Sequence, residues 1–228
     1  MKPEGEQNHN AAGKTSTDAT IDVTAEHSAP GVDAQPEPET ADDSFPIVGI
    51  GASAGGLEAI EAFFEAMPVD SGIAFVVVQH LSPDYKSLMV ELLSRKTAIP
   101  VQRAEDGMLV QADHIYLIPP KKTLTIFHRQ LLLEDKKPRE SNSLPVDIFL
   151  RSLADDQGER AVAVILSGTG SDGTRGVRAI KEGGGLIMIQ DEGSAKFDGM
   201  PRAAASTGLA DFILPPQEMP SQLLACLR

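Results

Sequence analysis

The sequence predicts an α/β fold: a doubly wound, mostly parallel sheet with helices on both faces, a small β-hairpin and a disordered N-terminal tail. Three observations carry that expectation. From Ile47 onward, strand-like and helix-like segments alternate, the pattern of crossover-connected parallel strands. The runs Ile47–Ile50, Ile73–Val78 and Val162–Leu166 are apolar throughout, as strands buried on both faces must be. Each then gives way to a short segment that carries chemistry: Gly51-Ala52-Ser53-Ala54-Gly55-Gly56, Gln79-His80-Leu81 and Gly168-Thr169-Gly170-Ser171-Asp172-Gly173.

The tail comes first. Residues 1–44 contain no Phe, Tyr or Trp and few branched apolar residues, with much Pro, Thr, Glu and Asp. Such a stretch cannot bury enough apolar surface to offset the entropy of ordering, so it is expected to be disordered. Its two lysines face ten carboxylates, a net charge of −8, which leaves −5 of the chain's −13 for residues 45–228. The folded domain is therefore only mildly anionic, without the basic footprint of a nucleic-acid binder. No apolar stretch approaches the ~18 residues of a membrane span, and the N-terminus lacks the order of a secretory signal. The single cysteine, Cys226, rules out an internal disulfide framework and fits a reducing cytoplasm. Its apolar neighbours favour a packed side chain over a redox role.

Within residues 45–228, Ile47–Ile50 leads through a glycine turn into a helix over Leu57–Met67. There Leu57, Ile60, Phe63, Phe64 and Met67 recur at helical spacing, and Pro68 follows as a stop. Ile73–Gln79 is the next strand, and Asp84–Lys96 a helix with Leu88, Leu92 and Leu93 on one face. Strands are predicted at Pro100–Arg103 and Ile115–Ile118. Leu124–Phe127 and Leu131–Glu134 read as a hairpin across His128-Arg129, and Lys136–Leu144 as a polar loop. Pro145 suits the first turn of a helix through Leu153. Val162–Leu166 is a strand and Gly173–Glu182 a helix, closed by Gly183-Gly184-Gly185. Leu186–Gln190 is a strand, Met200–Ser206 a short helix, Leu209–Leu214 the last strand and Pro220–Arg228 the last helix.

In open α/β sheets, ligands bind at the carboxyl ends of the strands. One serine, one histidine and one aspartate are thus placed where a nucleophile, its base and the base's orienting group are needed. Gly51-Ala52-Ser53-Ala54-Gly55 fits a nucleophile elbow, a sharp strand-to-helix turn whose small neighbours leave the hydroxyl accessible. The same stretch also reads Gly49-x-Gly51-x-x-Ala54, a variant dinucleotide fingerprint. That alternative wants an acidic residue at the end of the second strand, where this chain has Gln79-His80; Asp70 lies before the strand and Asp84 beyond Pro83. A purely structural glycine turn is the duller reading.

His80 could be an ordinary satisfied imidazole, but the second strand of a βαβ unit would bring it beside Ser53, and its pKa of ~6.5 suits proton transfer near neutrality. His9 and His27 lie in the tail, His114 opens a strand and His128 sits at a hairpin tip. Asp172 or Ser171 could simply cap the following helix; as a third strand end, Asp172 could instead hold the imidazole in its useful tautomer. The His and Cys placement offers no metal-ligand cluster, and no cofactor is called for.

The order Ser…His…Asp differs from the Ser…Asp…His of α/β-hydrolases. Together with Gln190-Asp191, Ser194 and Gly199-Met200-Pro201-Arg202, the three segments resemble the catalytic domain of the CheB family, the chemotaxis receptor protein-glutamate methylesterases, over Pro46 to Leu214. The resemblance implies hydrolysis of glutamate γ-methyl esters on the cytoplasmic signalling helices of methyl-accepting receptors, releasing methanol. In many members the same site also deamidates receptor glutamines. It matches Ser53 to the nucleophile, His80 to the base and Asp172 to the orienting carboxylate. Ala54, Thr169 and Gly170 fall at the oxyanion and substrate side.

Ala54 and Thr169 depart from the Thr and Met usual in receiver-linked members, which touches rate and substrate choice. No receiver domain precedes the esterase segment, only the acidic tail. The segments are closer to the esterase module of fusion proteins that carry a receptor-type methyltransferase in cis, and the C-terminal end fits a domain cut from one. In such a setting, an esterase-like domain that has lost turnover could serve as a docking module.

Overall fold

A run such as Ile47-Val48-Gly49-Ile50 has no polar side to turn to water, so it is satisfied only between two neighbouring strands and beneath layers on both faces. In the computed structural model, which describes residues 44–79, 88–136 and 144–227, this run is β1 (Ile47–Ala52), buried at every residue. On one side β1 pairs in parallel with β2 (Ala74–Gln79), and on the other with β8 (Ala161–Ile165). Beyond β2 lie β5 (Ile115–Leu117) and β3 (Val101–Arg103); beyond β8 lie β9 (Leu186–Gln190) and β10 (Phe212–Leu214). The seven strands run in the order β10-β9-β8-β1-β2-β5-β3 and are all parallel. Strand order changes direction between β1 and β8, the point at which such a sheet opens a crevice.

Helices cover both faces. α1 (Gly56–Glu65), α2 (Met89–Ser94) and α6 (Met219–Cys226) pack their apolar sides into one core, around Ile50, Phe75, Val77 and Val164. Phe63, Phe64 and Phe75 interlock there edge to face, with centroids 5.1–6.1 Å apart. On the opposite face, α3 (Pro145–Gln157), α4 (Thr174–Glu182) and α5 (Gly199–Ala205) share a second core with Ile47, Val76, Ala163 and Ile187. A 3-10 turn over Gly158–Arg160 links α3 to β8. No helix among the described residues is long and apolar enough to cross a membrane.

The hairpin extends slightly beyond its predicted ends, as β6 (Lys122–Phe127) and β7 (Gln130–Asp135), and forms an antiparallel sheet of order β4-β7-β6 with β4 (Met108–Leu109). Sequence periodicity misses β4 because two residues carry no alternation. At the tip, His128 and Arg129 have φ of 48° and 60°, as a two-residue turn of the primed type demands. The Asp156 carboxylate accepts both of their N–H groups.

Other differences are local. The last strand begins at Phe212 instead of Leu209, because Gly208 turns the chain with φ +70° and the Asp211 carboxylate takes the Ile187 N–H at 2.8 Å. α1 ends at Glu65, two residues short of Met67, and α5 starts at Gly199, ahead of Pro201. Of the helix predicted over Asp84–Lys96, the described part is α2. Residues 1–43 of the tail, Asp84–Ser87 and most of the Lys136–Leu144 loop lie outside the described residues.

Candidate active site

With β1 ending at Ala52 and α1 starting at Gly56, only Ser53, Ala54 and Gly55 make the turn between them. Gly55 takes φ +68°, and a Cβ on it would lie 2.8 Å from Lys196 Cβ and 2.9 Å from Ser167 Oγ. A glycine is required there on both counts. Gly56 N–H closes the turn on Ser53 O at 2.9 Å, and Ser53 N–H donates to Ser167 O at 3.0 Å. Ser53 is partly exposed and lies against Gly168, whose added Cβ would come within 2.9 Å of Ser53 Cβ and 2.2 Å of Met200 Sδ. Ala54 N–H and the N–H groups of the exposed Thr169 and Gly170 have no partner among the described residues. Unused amides beside a serine at the start of a helix suit the stabilisation of developing negative charge.

The second strand end lies alongside. Ala52 pairs with Gln79 in the β1–β2 register, so the two strands end side by side at one sheet edge. Gln79 is buried and donates from Nε2 to Ser53 O at 3.4 Å, while its Oε1 has no partner among the described residues. His80 itself lies outside the described residues.

Asp172 lies in the loop after β8 and is 8% exposed. The sequence allows it to cap the helix that follows; instead it caps a different one. Its Oδ2 accepts Val146 N–H at 3.1 Å and its Oδ1 accepts Asp147 N–H at 2.9 Å. These are the second and third residues of α3, whose own N-cap, Leu144, supplies no side-chain bond. The donors are those a capping side chain would normally take. Burial pushes the Asp172 carboxyl above its ordinary range; the Asp147 and Val146 amides pull it back, and the Asp147 charge adds a further push upward.

The knot that joins these loops could not be foreseen from the sequence. Ser167 is fully buried. Its hydroxyl lies 3.0 Å from Ala54 O and 3.2 Å from Phe197 O and accepts Phe197 N–H at 3.0 Å. Its backbone N–H donates to Gln190 Oε1 at 2.7 Å. Gly168 then exchanges bonds with the same segment, donating to Phe197 O and accepting Met200 N–H. One hydroxyl thus ties the Ser53 turn to the β8 loop and to the residues leading into α5. No motif announces such a serine; of the segments singled out in the sequence, Gln190 bonds its amide and Met200 bonds the carbonyl of its neighbour Gly168. Among the described residues, no group of three or more His, Cys, Asp or Glu side chains is placed to hold a metal ion.

Comparison with known proteins follows the same residues. The family model for CheB methylesterase matches residues 48–223. Over 183 residues the chain is 37% identical to a protein-glutamate methylesterase/protein-glutamine glutaminase of Xanthomonas oryzae pv. oryzae, covering 78% of this chain and 51% of that protein. A protein of the same name from Burkholderia pseudomallei is 34% identical over 184 residues, covering 80% of this chain and 54% of its own length. An uncharacterized 104.1 kDa protein of Rhodobacter capsulatus is 51% identical over 126 residues, 55% of this chain but 13% of that protein. The chain thus spans about half the length, or less, of these curated relatives. Among solved structures, the Thermotoga maritima CheB methylesterase catalytic domain superposes with a TM-score of 0.74 at 30% identity, over 80% of this chain and 99% of that one.

Proposed function

The chain belongs to the CheB methylesterase family, and from that premise we propose that residues 45–228 form a serine esterase acting on glutamate γ-methyl esters of methyl-accepting receptors. The observation that carries the reading is the convergence at one sheet edge: Ser53 follows a residue paired with Gln79, and its amide is bonded to the loop that leads to Asp172.

In this reading Ser53 Oγ attacks the ester carbonyl carbon while His80 accepts the hydroxyl proton. The tetrahedral oxyanion is received by Ala54 N–H and the Thr169-Gly170 amides, each donor being worth roughly 10²–10³ in rate. The C–O bond to the methoxy group breaks, and methanol departs with the proton from His80. Water, activated by the same imidazole, then cleaves the glutamyl-enzyme and frees Ser53. Asp172 orients the imidazole; because one α3 amide fixes each of its oxygens, the carboxylate plane is set before substrate arrives. A glutamine side chain presented to the same groups would lose ammonia, giving deamidation.

The partners are the cytoplasmic signalling helices of such receptors, and the setting is the cytoplasm. A place for this domain within a larger signalling protein, with a methyltransferase in cis, is part of the proposal; that the Rhodobacter capsulatus match amounts to 13% of a 104.1 kDa protein supports only the larger size. Residues 1–44 form an acidic tail outside the esterase domain.

Methanol release from a methylated receptor fragment tests the reading. The wild-type protein is expected to release it, and Ser53→Ala to reduce the rate by about 10³ or more. Equal release by both proteins contradicts the assignment. Receptor binding without any release by the wild type identifies a docking module instead.

A further inference from the structure

Two carboxylates meet at the crevice, and the mechanism uses one of them. Asp147, the third residue of α3, is 4% exposed. Its Oδ1 accepts Gly176 N–H at 2.8 Å, and its buried Oδ2 has no partner among the described residues. Leaving a buried carboxylate oxygen unbonded is costly, so a fold that keeps one has a use for the other oxygen.

Gly176 is the third residue of α4, the helix that begins two residues after Asp172. The bonding is therefore reciprocal. The Asp172 carboxylate holds the first turn of α3, and the Asp147 carboxylate holds the first turn of α4. Asp147 of α3 and Asp172 of the loop before α4 thus supply each other's helix with a side-chain cap, for neither helix receives one from its own N-cap residue. Contact is close enough to fix the arrangement: an added Cβ would lie 2.5 Å from Leu150 Cβ at Gly176 and 3.1 Å from Val146 Cγ1 at Gly173.

We propose that Asp147 is the positioning residue for the Asp172 carboxylate, acting through its bond to Gly176 N–H to hold the two helix starts, and Asp172 between them, in one geometry. The proposal rests on the esterase reading for its effect on rate, but the geometry it asserts can be read without turnover. The role is that of an acceptor at a fixed place rather than of a charge.

The test compares Asp147→Ala, Asp147→Asn and Asp147→Glu in the full chain, by methanol release and by hydrogen exchange at the Val146 amide, which Asp172 protects. Asp147→Ala is expected to lower kcat about 10- to 100-fold, the cost of a misplaced catalytic group, with KM within about twofold and Val146 exchange accelerated. Asp147→Asn keeps an acceptor at the Oδ1 position and is expected to recover most of the lost kcat and protection. Asp147→Glu keeps the charge but moves the acceptor by a methylene, and is expected to behave like Asp147→Ala. Should Asp147→Ala fail to fold, the Asn and Glu variants decide. Wild-type kcat in all three, a loss confined to KM, or a Glu variant that outperforms the Asn variant overturns the proposal. If the wild type releases no methanol while Val146 exchange follows the predicted order, the esterase reading fails and the positioning role stands.

Discussion

Asp172 is buried as an acid yet serves as an acceptor, and the two demands pull in opposite directions. Burial lifts its carboxyl above the ordinary range, with the amides of Asp147 and Val146 opposing. A group whose pKa is raised on folding favours the protonated folded state. Its contribution to stability is fully present below the unfolded carboxylate pKa of ~3.9 and is lost as pH rises through the higher folded value. Asp172→Asn should therefore abolish turnover yet show a smaller fall in stability above pH ~4 than the wild type, measured by denaturant unfolding across pH. An unchanged or steeper fall would contradict the burial argument. Gly168 offers a second check: a methyl there would collide with Met200 Sδ at 2.2 Å and Ser53 Cβ at 2.9 Å. Gly168→Ala should cost at least tenfold in kcat by displacing Ser53, the proposed nucleophile, since ångström shifts are expensive at a reacting centre. Ser53 and Asp172 stand out in the sequence because each follows an apolar strand, although a helix cap accounts for an aspartate there equally well. Ser167 and Asp147 do not stand out: what marks each is a partner far along the chain, at Phe197 and at Gly176.

The order of helices and strands was legible almost throughout, since both periodicities are strong and the strands carry little polar interruption. What escaped was which helix leans on which strand. Glycines decide it at β1, where a Cβ on Gly51 would come 2.3 Å from Val146 Cγ1 and one on Gly49 2.7 Å from Leu150 Cδ2. In the sequence these glycines also fit a variant dinucleotide fingerprint that lacks its acidic partner; in the fold they admit α3 to the sheet and so bring its first turn to Asp172. Gly51→Ala should destabilise the protein by about 1–3 kcal/mol, as over-packing does, read from its thermal or denaturant midpoint. The hairpin tip gives the opposite sign. His128 sits at φ 48°, which asparagine tolerates better. His128→Asn should leave esterase activity as it was and raise stability by a few tenths of a kcal/mol; lower stability would argue that the imidazole itself contributes at the tip.

Alternation of strands and helices predicts a doubly wound sheet but not the order of its strands, which depends on whether each crossover goes left or right of the one before. Here β1 lies at the middle, the chain fills the β2 side first and then returns through α3 to build the β8 side. That return places the Ser53 turn at a gap where neighbouring strands send their connections to opposite faces, β1 to α1 and β8 to α4. The catalytic proposal is thus a consequence of topology as much as of residue type. Mapping the adduct of a serine-reactive phosphonate by mass spectrometry tests it most directly. The account predicts a single modified residue, Ser53, in the wild-type protein and a loss of labelling of about 100-fold or more in His80→Ala and in Asp172→Ala. Absence of an adduct at Ser53, or labelling of Ser53 that is indifferent to both substitutions, would contradict it.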